Sequence, residues 1–386
     1  MALTFITAGE SHGPGLTCIV DGLPAGLALE QETINRDMAR RQLGHGRGGR
    51  MKIEKDAAQV TSGVRHGVTL GSAIALRVDN RDYQNWEERM NPWPVQADVP
   101  EVHLPRPGHA DLVGTWKYGH SDVRNVLERA SARETAARVA GGALCKAFLA
   151  ALGVQVRSHV VQIGSVHAPV TPVLGLGDFD GVDEDPVRCL DTAASRAMVA
   201  HINAQRKANE SIGGVFEVVA FGVVPGLGSY VSWQERLDGR LAMAICSIQA
   251  VKGVSIGEAW DVAGRPGSQA HDEIFYDDGH YHRATNRSGG LEGGMTTGDP
   301  LIVRGAMKPL PTLTKPLKSV DIATKEPAQA LRERTDSCTV PAAGVVGEAM
   351  VAHVLATAYR EKFGGDHIDD VRVAVDAYRA RIGWPQ

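Results

Sequence analysis

The sequence predicts an α+β protein that folds as one interwoven unit over residues 1–386. Short apolar runs rich in β-forming residues alternate with segments whose apolar positions recur at helical spacing. No Pro-, Ser- or Gly-rich linker with a change of composition on either side divides the chain. Hydrophobic residues make up 43% and charged residues 22%, values that are normal for a soluble globular protein with a core.

The first hundred residues predict strands and one short helix. Residues 3–7 and 16–20 are apolar runs that predict strands on either side of a Gly-Pro-Gly turn, and residues 73–78 predict a further strand. Residues 32–42 have a helical composition, and Gly44 is a good C-terminal stop for that helix.

A proline-rich loop and a long helical pattern follow. The five prolines between residues 91 and 111 exclude regular structure throughout that stretch, and a loop of this length is typically functional or disordered. Residues 121–152 form a helical pattern in which the pair Gly141-Gly142 marks a weak or closely packed point.

The second half repeats the alternation without a repeat at the residue level. Its predicted strands are residues 154–166 and 215–224. Its predicted helices are residues 190–209, 233–248, 345–363 and 368–382.

Several classes of protein and site are excluded by composition. No apolar run approaches the length needed to cross a bilayer, and the first ten residues lack the features of a signal peptide. The five cysteines form no C-x-x-C pair, which indicates neither a disulfide framework nor a thiolate zinc site. His280 and His282 predict a surface hairpin rather than a metal site. We therefore expect a cytoplasmic protein with no metal and no membrane partner.

A cluster of arginines and glycines stands out in a chain whose formal net charge is −4; residues 40–50 are R-R-Q-L-G-H-G-R-G-G-R. Guanidinium groups suit phosphate and carboxylate, and glycines let backbone N–H groups approach an anion. The alternative is a solvated, flexible loop. Its formal G-x-G-x-x-G match follows a predicted helix instead of opening one, so we reject a Rossmann dinucleotide fold.

Two histidines lie in glycine-containing turns that would present a proton donor. G-E-S-H-G at residues 9–13 fits the letters of a nucleophile elbow, but it leads into a strand, so Ser11 and His12 are not predicted to be a nucleophile–base pair. His12 alone is a candidate to protonate a leaving phosphate. His109, in R-P-G-H-A-D, is a second candidate general acid. The alternative for each is a turn histidine bonded to backbone or exposed to solvent.

Two more clusters carry arginine. Residues 128–135 place Arg129 and Arg133 four apart, which predicts one shared helix face, with small residues between them that leave space for a flat anion. The segment R-E-R-T-D, which ends at Asp336, precedes an apolar helix. The alternatives are a salt-bridged surface helix and a solvated loop.

Together these clusters predict one pocket for a small, multiply charged anion, and hence an enzyme that acts on a phosphorylated, acidic metabolite. Nucleic-acid binding fits worse, because aromatic residues do not interleave with the basic runs and the overall charge is negative. Two alternatives stay open at this point: a hydrolase or transferase that releases phosphate from a sugar-like acid, and an RNA-binding module.

The chain resembles the chorismate synthase family in six motifs, which occur in that family's order and span nearly the whole chain: G-E-S-H-G, R-R-Q-L-G-H-G-R-G-G-R-M, R-P-G-H-A-D, R-A-S-A-R-E-T, N-R-S-G-G-L-E-G-G-M and R-T-D-S-C-T-V-P-A-A. The resemblance implies anti-1,4-elimination of phosphate from 5-enolpyruvylshikimate 3-phosphate to give chorismate in the shikimate pathway. It implies a single-domain β-α-β sandwich, with antiparallel sheets around a helical core, that assembles as a homotetramer. It also implies a reduced FMN that is required but not consumed, with NADPH serving, if at all, only to reduce the flavin.

The same resemblance implies roles for particular residues. His12 would protonate the departing phosphate, His109 would donate a proton near the reduced flavin, and Asp336 would act with the flavin in removing the ring proton. Substrate binding would fall to Ser11, Arg41, Arg47, Arg50, Ser131, Arg133 and Arg334. Flavin binding would fall to Arg129, Ala130, Ser131, Gln249, Ala250, Gly293, Lys308, Pro309, Leu310, Pro311, Thr312 and Arg334. Family patterns also place NADP at Arg41 and Arg47, which we assign to substrate.

Overall fold

The secondary structure comes from a computed structural model, which describes residues 3–48, 55–170, 174–277, 279–333 and 336–384. The strands are β1 (Thr4–Ala8), β2 (Gly15–Asp21), β3 (Ala58–Val60), β4 (Val64–Arg65), β5 (Val68–Thr69), β6 (Ile74–Asp79), β7 (Gln155–Ile163), β8 (Val166–His167), β9 (Gly214–Phe221), β10 (Val251–Ile256), β11 (Ile274–Asp277), β12 (His280–Arg283), β13 (Leu291–Glu292), β14 (Met295–Thr296), β15 (Leu301–Met307), β16 (Lys318–Val320) and β17 (Pro327–Gln329). The helices are α1 (Gln31–Gln42), α2 (Asp111–Tyr118), α3 (Arg124–Leu127), α4 (Thr135–Ala150), α5 (Thr192–Lys207), α6 (Leu237–Cys246), α7 (Ala259–Val262), α8 (Gly267–Ala270), α9 (Val340–Phe363) and α10 (Ile368–Ile382).

Two antiparallel sheets enclose a pair of central helices. The first sheet has the strand order β1-β2-β6-β3 and the second has the order β10-β15-β9-β7-β8. Helix α4 packs on β2 and β6, α9 packs on β7 and β9, and the two helices pack along each other. The layers therefore run sheet, helices, sheet, which confirms the predicted α+β sandwich of antiparallel sheets around a helical core.

The strand sequences reflect how many faces of each sheet are covered. In β2, buried Leu16, Cys18 and Val20 alternate with exposed residues, because only one face lies against the core. In β9, five consecutive residues from Phe216 to Ala220 are buried. Its outer face is covered by a second, smaller apolar cluster that includes Phe179 and contains Val219 of the strand.

Glycines set the close approach of the layers. A Cβ on Gly141 would lie 2.1 Å from the Phe5 ring of β1, and a Cβ on Gly142 would lie 2.3 Å from Cβ of Ala349 on α9. On the other side of α9, a Cβ on Gly347 would lie 2.6 Å from the ring of Phe216. The predicted close packing at Gly141-Gly142 is thus confirmed, since each position has room only for hydrogen.

A buried carboxylate stands at the centre of this packing. Glu348 on α9 is fully buried and receives Arg40 of α1 at 2.7 and 2.8 Å, Lys146 of α4 at 2.7 Å and the Ser158 hydroxyl of β7 at 2.7 Å. Arg188 adds a contact at 3.3 Å. Burial alone would raise the pKa of Glu348, but Arg40 and Lys146 outweigh it and hold that pKa well below the ordinary value.

Asp37 and Asp183 complete this cluster, which we call the Glu348 network. Asp37 accepts from Arg40 and from Lys146 at 2.8 Å each, and Asp183 pairs with Arg40 at 2.8 Å and with Arg188. Three cations therefore face three carboxylates, so the network is close to neutral and joins α1, α4, α9 and the second sheet.

One predicted helix is wrong. Residues 121–152 do not form a single helix: α3 ends at Leu127, and α4 begins only at Thr135 after a 3₁₀ turn at Ala132–Glu134. Ser131 is extended, and its hydroxyl accepts a hydrogen bond from the backbone N–H of Arg133, which caps the new turn. Arg129 and Arg133 therefore do not share a helix face.

The length of α9 corrects another expectation. The helix begins at Val340, before the predicted start at residue 345, and spans 24 residues. By length and apolar composition it could cross a membrane, so the expectation that no apolar run approaches that length is wrong. Its apolar window is 94% buried inside the protein, however, as in the core helix of a folded domain.

Most other elements agree with the predictions to within a few residues. Helix α10 has the predicted bounds, residues 91–110 contain no helix or strand, and His280 and His282 lie on the β11–β12 hairpin. Strands β10 and β15, helix α2 and several elements of two to four residues are absent from the predictions. The single-domain organisation over residues 1–386 stays a prediction.

We predict that Glu348→Ala lowers the free energy of unfolding by about 3–5 kcal/mol, because it leaves Arg40, Lys146 and Arg188 buried with a carboxylate missing. Urea denaturation followed by circular dichroism measures the loss. Glu361→Ala near the end of the same helix is the control; its pair with Arg240 is exposed, and we expect it to cost less than about 1 kcal/mol. Equal losses in the two variants would contradict a central role for Glu348.

Candidate active site

A cavity of about 660 Å³ forms where connecting segments from many parts of the chain meet beside the central helices; the two segments at residues 248–250 and 307–312 are among them. Others are the turn after β1, the loop after α1, the proline loop, the 3₁₀ turn before α4 and the stretch before α9. The predicted site residues that line the cavity are Ser11, His12, Arg41, Arg47, His109, Ala130, Ser131, Arg133, Gln249, Ala250, Lys308, Leu310, Pro311, Thr312 and Asp336. Residues from distant parts of the sequence thus converge on one space, as the anion-pocket hypothesis requires.

A single buried carboxylate organises the basic wall of the cavity. Asp56 Oδ2 accepts from Arg41 at 2.6 Å and Asp56 Oδ1 accepts from Arg133 at 2.6 Å. Burial would raise the pKa of Asp56, but these two guanidinium groups outweigh it and lower that pKa. Arg133 also donates to Asn80 Oδ1 at 2.9 Å. Two cations share one carboxylate, so this wall keeps a net positive charge.

Burial lowers the pKa of Arg41, whereas it would raise the pKa of Asp56. Desolvation, together with the neighbouring cations Arg133 and Arg47, lowers the pKa of Arg41 to about 10, although Asp56 opposes the change. The group stays protonated at neutral pH. An anion entering the cavity would relieve the repulsion among these three guanidinium groups, which makes the wall a binding surface for phosphate or carboxylate.

His12 is held by a carboxylate and an aromatic ring. Its Nδ1 lies 3.0 Å from both oxygens of Glu128, and its backbone N–H donates to Glu128 at 2.8 Å. The imidazole stacks on Trp86 with ring centroids 3.9 Å apart. Arg124 donates to Glu128 at 2.8 Å. Because Nδ1 is engaged by Glu128, Nε2 is the ring nitrogen left for a ligand.

His109 has a matching arrangement. Its Nδ1 lies 2.5 Å from Oδ1 of Asp111, and Arg106 Nε donates to Asp111 Oδ2 at 2.9 Å. Burial would raise the pKa of Asp111, but the hydrogen bonds from His109 and Arg106 outweigh it and lower that pKa to about 2. Asp111 is therefore an ionised, fully buried partner that fixes the ring of His109.

Asp336 lies on the arginine–glycine side of the cavity. Its Oδ2 is 3.1 Å from Nη1 of Arg47, and its Oδ1 accepts from the backbone N–H of Gly48 at 2.5 Å. The carboxylate is 20% exposed, so it is reachable from the cavity. The arginine–glycine cluster is thus joined to the chain just before α9.

The predicted flavin residues 249–250 and 308–312 lie in two neighbouring segments, which we call the flavin wall. Gln249 donates to Glu134 at 3.0 Å, while its buried Oε1 has no hydrogen-bond partner within the ranges that the structure describes. Ala250 has a φ of +68°, a strained left-handed conformation, and its carbonyl accepts from the N–H of Lys308 at 2.9 Å. This wall combines apolar side chains with an unsatisfied acceptor, as a flat heteroaromatic ligand requires.

Some predicted site residues lie elsewhere. Arg129 donates to the carbonyls of Thr7 at 2.8 Å and Gly9 at 3.2 Å and does not line the cavity; neither does Pro309. Gly293 lies in the turn between β13 and β14, also away from the cavity lining. Arg50 and Arg334 lie outside the described residues. The roles suggested for these residues stay predictions.

Sequence reasoning missed the residues that orient the others, which are Asp56, Trp86, Arg106, Asp111, Arg124 and Glu128. Arg106, Asp111 and Glu128 carried a local signal, because Arg106 and Asp111 begin and end the R-P-G-H-A-D motif. Asp111 follows His109 by two residues at the start of α2, and Glu128 opens the cluster that contains Arg129 and Arg133. The described residues contain no group of three or more His, Cys, Asp or Glu side chains that could hold a metal ion.

The comparisons with known proteins agree with one another. The chorismate synthase family model matches residues 3–359. Chorismate synthases of Rubrobacter xylanophilus and Bacillus subtilis are each 54% identical to the chain, over 385 and 384 residues, and the alignments cover 98% or more of both partners. The chain belongs to the chorismate synthase family. It is accordingly an enzyme with chorismate synthase function in the shikimate pathway.

The fold agrees with this assignment. A crystal structure of a chorismate synthase matches with a TM-score of 0.80 and 41% identity, over 99% of this chain and 98% of that one. The chorismate synthase resemblance drawn from the six motifs is thereby confirmed, and so is the fold class.

We predict that Asp111→Asn lowers the free energy of unfolding at neutral pH and leaves it nearly unchanged at low pH. The pKa of Asp111 is about 2 in the folded protein against an ordinary 3.8, so its carboxylate stabilises the fold above about pH 4 and loses that effect as the pH falls through 2. The difference in free energy of unfolding between wild type and variant should be about 2 kcal/mol at pH 7. It should fall towards zero as the pH is lowered from about 4 to about 2. Urea titrations at several pH values measure it.

The control for that experiment is Asp79→Asn, which removes an exposed pair with Arg77. We expect a gap below about 1 kcal/mol for this control. A gap for Asp111→Asn that does not change with pH would contradict the pairing described for its carboxylate.

Proposed function

We propose that the cavity converts 5-enolpyruvylshikimate 3-phosphate to chorismate and phosphate by anti-1,4-elimination, with reduced FMN bound beside the substrate. The observation that carries the proposal is the convergence, in one cavity, of the Asp56-linked arginines with two histidines that are each held by a carboxylate. The substrate is a phosphate with two carboxylates, so its charge complements this wall.

The residues present fit a flavin. The Gln249 side chain presents a buried acceptor without a partner among the described residues, and the isoalloxazine ring carries N–H donors. The carbonyl-to-N–H bond between Ala250 and Lys308 holds the two predicted flavin segments side by side. Reduced FMN, when bound, supplies electron density that helps phosphate to leave and is recovered as the proton is lost.

Arg41, Arg47 and Arg133 bind the charged groups of the substrate and orient them. Asp56 fixes two of these guanidinium groups before substrate arrives, so little reorganisation is needed on binding. His12 then donates a proton from Nε2 to the departing phosphate, while Glu128 at Nδ1 stabilises the imidazolium form. Ser11 and Ser131, whose hydroxyls are 3.2 Å apart, supply further hydrogen bonds beside His12.

The removal of the ring proton is assigned to Asp336 and His109, which also line the cavity. Asp336, anchored by Arg47 and Gly48, is the carboxylate placed to take part in removing the ring proton. His109, fixed by Asp111, holds or returns a proton at Nε2 close to the flavin wall. The enzyme is on this proposal a carbon–oxygen lyase that acts on a phosphate ester.

We also propose a homotetramer in the cytoplasm. Large apolar side chains are strongly exposed on the described surface, among them Trp233 at 78% and Trp260 at 79%. Exposed apolar side chains of this size are available for contacts between copies of the chain, while the tetramer itself is proposed from the family resemblance.

The deciding experiment is an anaerobic assay for chorismate with purified protein, substrate and chemically reduced FMN. We expect chorismate and phosphate in equal amounts, and none with oxidised FMN alone. A parallel assay with NADPH and oxidised FMN tests whether the protein reduces its own flavin. Phosphate release in air without reductant would favour the flavin-independent hydrolase or transferase, and a steep salt-dependent shift with an oligonucleotide would favour the RNA-binding module.

We predict that His109→Ala binds oxidised FMN like wild type but loses most turnover, with kcat reduced about 100-fold or more, because a positioned proton donor is removed. Flavin fluorescence quenching measures binding and the anaerobic assay measures kcat. His103→Ala is the matched control, because His103 lies in the same proline loop as His109 but pairs with Glu101 and does not line the cavity. An unchanged kcat in His109→Ala would remove His109 from the mechanism.

A further inference from the structure

The two histidines of the cavity belong to two sets with the same composition. His12 is bound by Glu128, which is bound by Arg124 at 2.8 Å. His109 is bound by Asp111, which is bound by Arg106 at 2.9 Å. Each set consists of a histidine, a carboxylate and an arginine, and the two sets come from different segments of the chain.

One glutamate lies between the two sets. Glu333 Oε2 is 3.4 Å from Nη1 of Arg106, and Glu333 Oε1 is 4.0 Å from Nη1 of Arg124. Each carboxylate oxygen thus faces the arginine of a different set. Glu333 is 24% exposed and lines the cavity, so its charge is only partly screened by solvent.

We propose that Glu333 is a positioning residue that couples the two histidine sets to each other and to the segment that carries Asp336. The inference rests on the proposed function, because it assigns Glu333 a part in the geometry of that reaction. Glu333 itself touches neither histidine, and acts through Arg106 and Arg124.

Electrostatics explains why a carboxylate is needed at this position. Without it, Arg106 and Arg124 would keep their like charges with no shared carboxylate near them, and each would lose an attraction that restrains it. Glu333 attracts both, so a displacement of one set is resisted by the other. Arg106 Nη1 also donates to Thr312 at 3.0 Å, which extends the coupling to the flavin wall.

The position of Glu333 in the sequence gives the coupling a second function. Asp336 follows three residues later and is anchored to Arg47 and Gly48. Glu333 thus contacts the arginines of the two histidine sets, and Asp336 contacts the arginine–glycine cluster. The three proposed proton-handling groups are thereby linked to two residues that are close in sequence.

Two substitutions of Glu333 test separately the charge and the length of its side chain. Glu333→Gln keeps the length and removes the charge, and Glu333→Asp keeps the charge but is too short to face both arginines. We expect each to lower kcat about fivefold to tenfold and to change KM less than twofold, because the substrate-binding arginines are untouched. Glu326→Gln, an exposed glutamate in the preceding turn whose side chain has no described bond, is the matched control and should match wild type.

A double substitution tests whether Glu333 acts through the histidine–carboxylate–arginine set that contains His12. In a Glu128→Gln background the His12 set is already loosened, so adding Glu333→Gln should cost less than twofold in kcat. Fully multiplicative losses would mean that Glu333 acts independently of the His12 set, which would overturn the coupling.

Hydrogen–deuterium exchange of the unliganded protein gives a readout that does not depend on turnover. Glu333→Gln should raise exchange in both peptides 105–112 and 122–130, and Glu326→Gln should leave both unchanged. If wild type makes chorismate while Glu333→Gln matches it in kcat and in exchange, the inference is wrong and the proposed function stands. If wild type makes no chorismate, the proposed function fails, and exchange alone decides: a rise in both peptides supports positioning by Glu333, and any other pattern overturns it.

Discussion

The Glu348 network is the interaction on which the rest of the molecule depends. A fully buried carboxylate in the middle of an apolar helix is tolerated only because Arg40, Lys146 and Ser158 reach it from three other elements. Those elements must therefore hold their positions around α9. The glycines at the layer contacts permit the close approach, and the charged network specifies which groups meet there.

This network also places the cavity. Arg40 and Arg41 are neighbours at the end of α1; Arg40 points into the Glu348 network, and Arg41 points to Asp56 and the cavity. The core that fixes one of these guanidinium groups thereby fixes the other. The basic wall is rigid because it is an extension of the core, and rigidity of this kind reduces the reorganisation that substrate binding costs.

Carboxylates, more than arginines, give the cavity its geometry. Asp56 aligns two guanidinium groups, and Glu128 and Asp111 each fix one histidine. A site built only of cations would be held apart by repulsion, whereas here Arg41, Arg133 and the two histidines each have a carboxylate partner, and the shared Asp56 leaves the arginine pair with a net positive charge. The same principle accounts for the low pKa of Asp111, whose partners outweigh its burial.

Much of this structure could be predicted from the sequence, and the exceptions have physical reasons. Local patterns gave α1 with its stop at Gly44, helix α10, and the close packing at Gly141-Gly142. The pattern at residues 121–152 failed because apolar spacing carries no information on where a serine will cap a new turn.

The residues of the cavity also divide into those that could be predicted from the sequence and those that could not. Histidines and arginines in glycine-rich motifs were visible as candidates, because their chemistry is unusual in such turns. Asp56 and Trp86 were not, since their importance arises only when the chain brings them against residues 41, 133 and 12. The motifs identify the family, but a partner that is distant in sequence becomes recognisable only in three dimensions.

The buried carboxylate of α9 has one more consequence, for the newly made chain. By length and apolar composition this helix could cross a lipid bilayer, as a buried core helix also could. An ionisable residue within such a stretch costs about 2.5–3.5 kcal/mol on insertion scales when it lies near the centre. Glu348 thus opposes insertion into lipid before folding and, after folding, joins the layers of the enzyme.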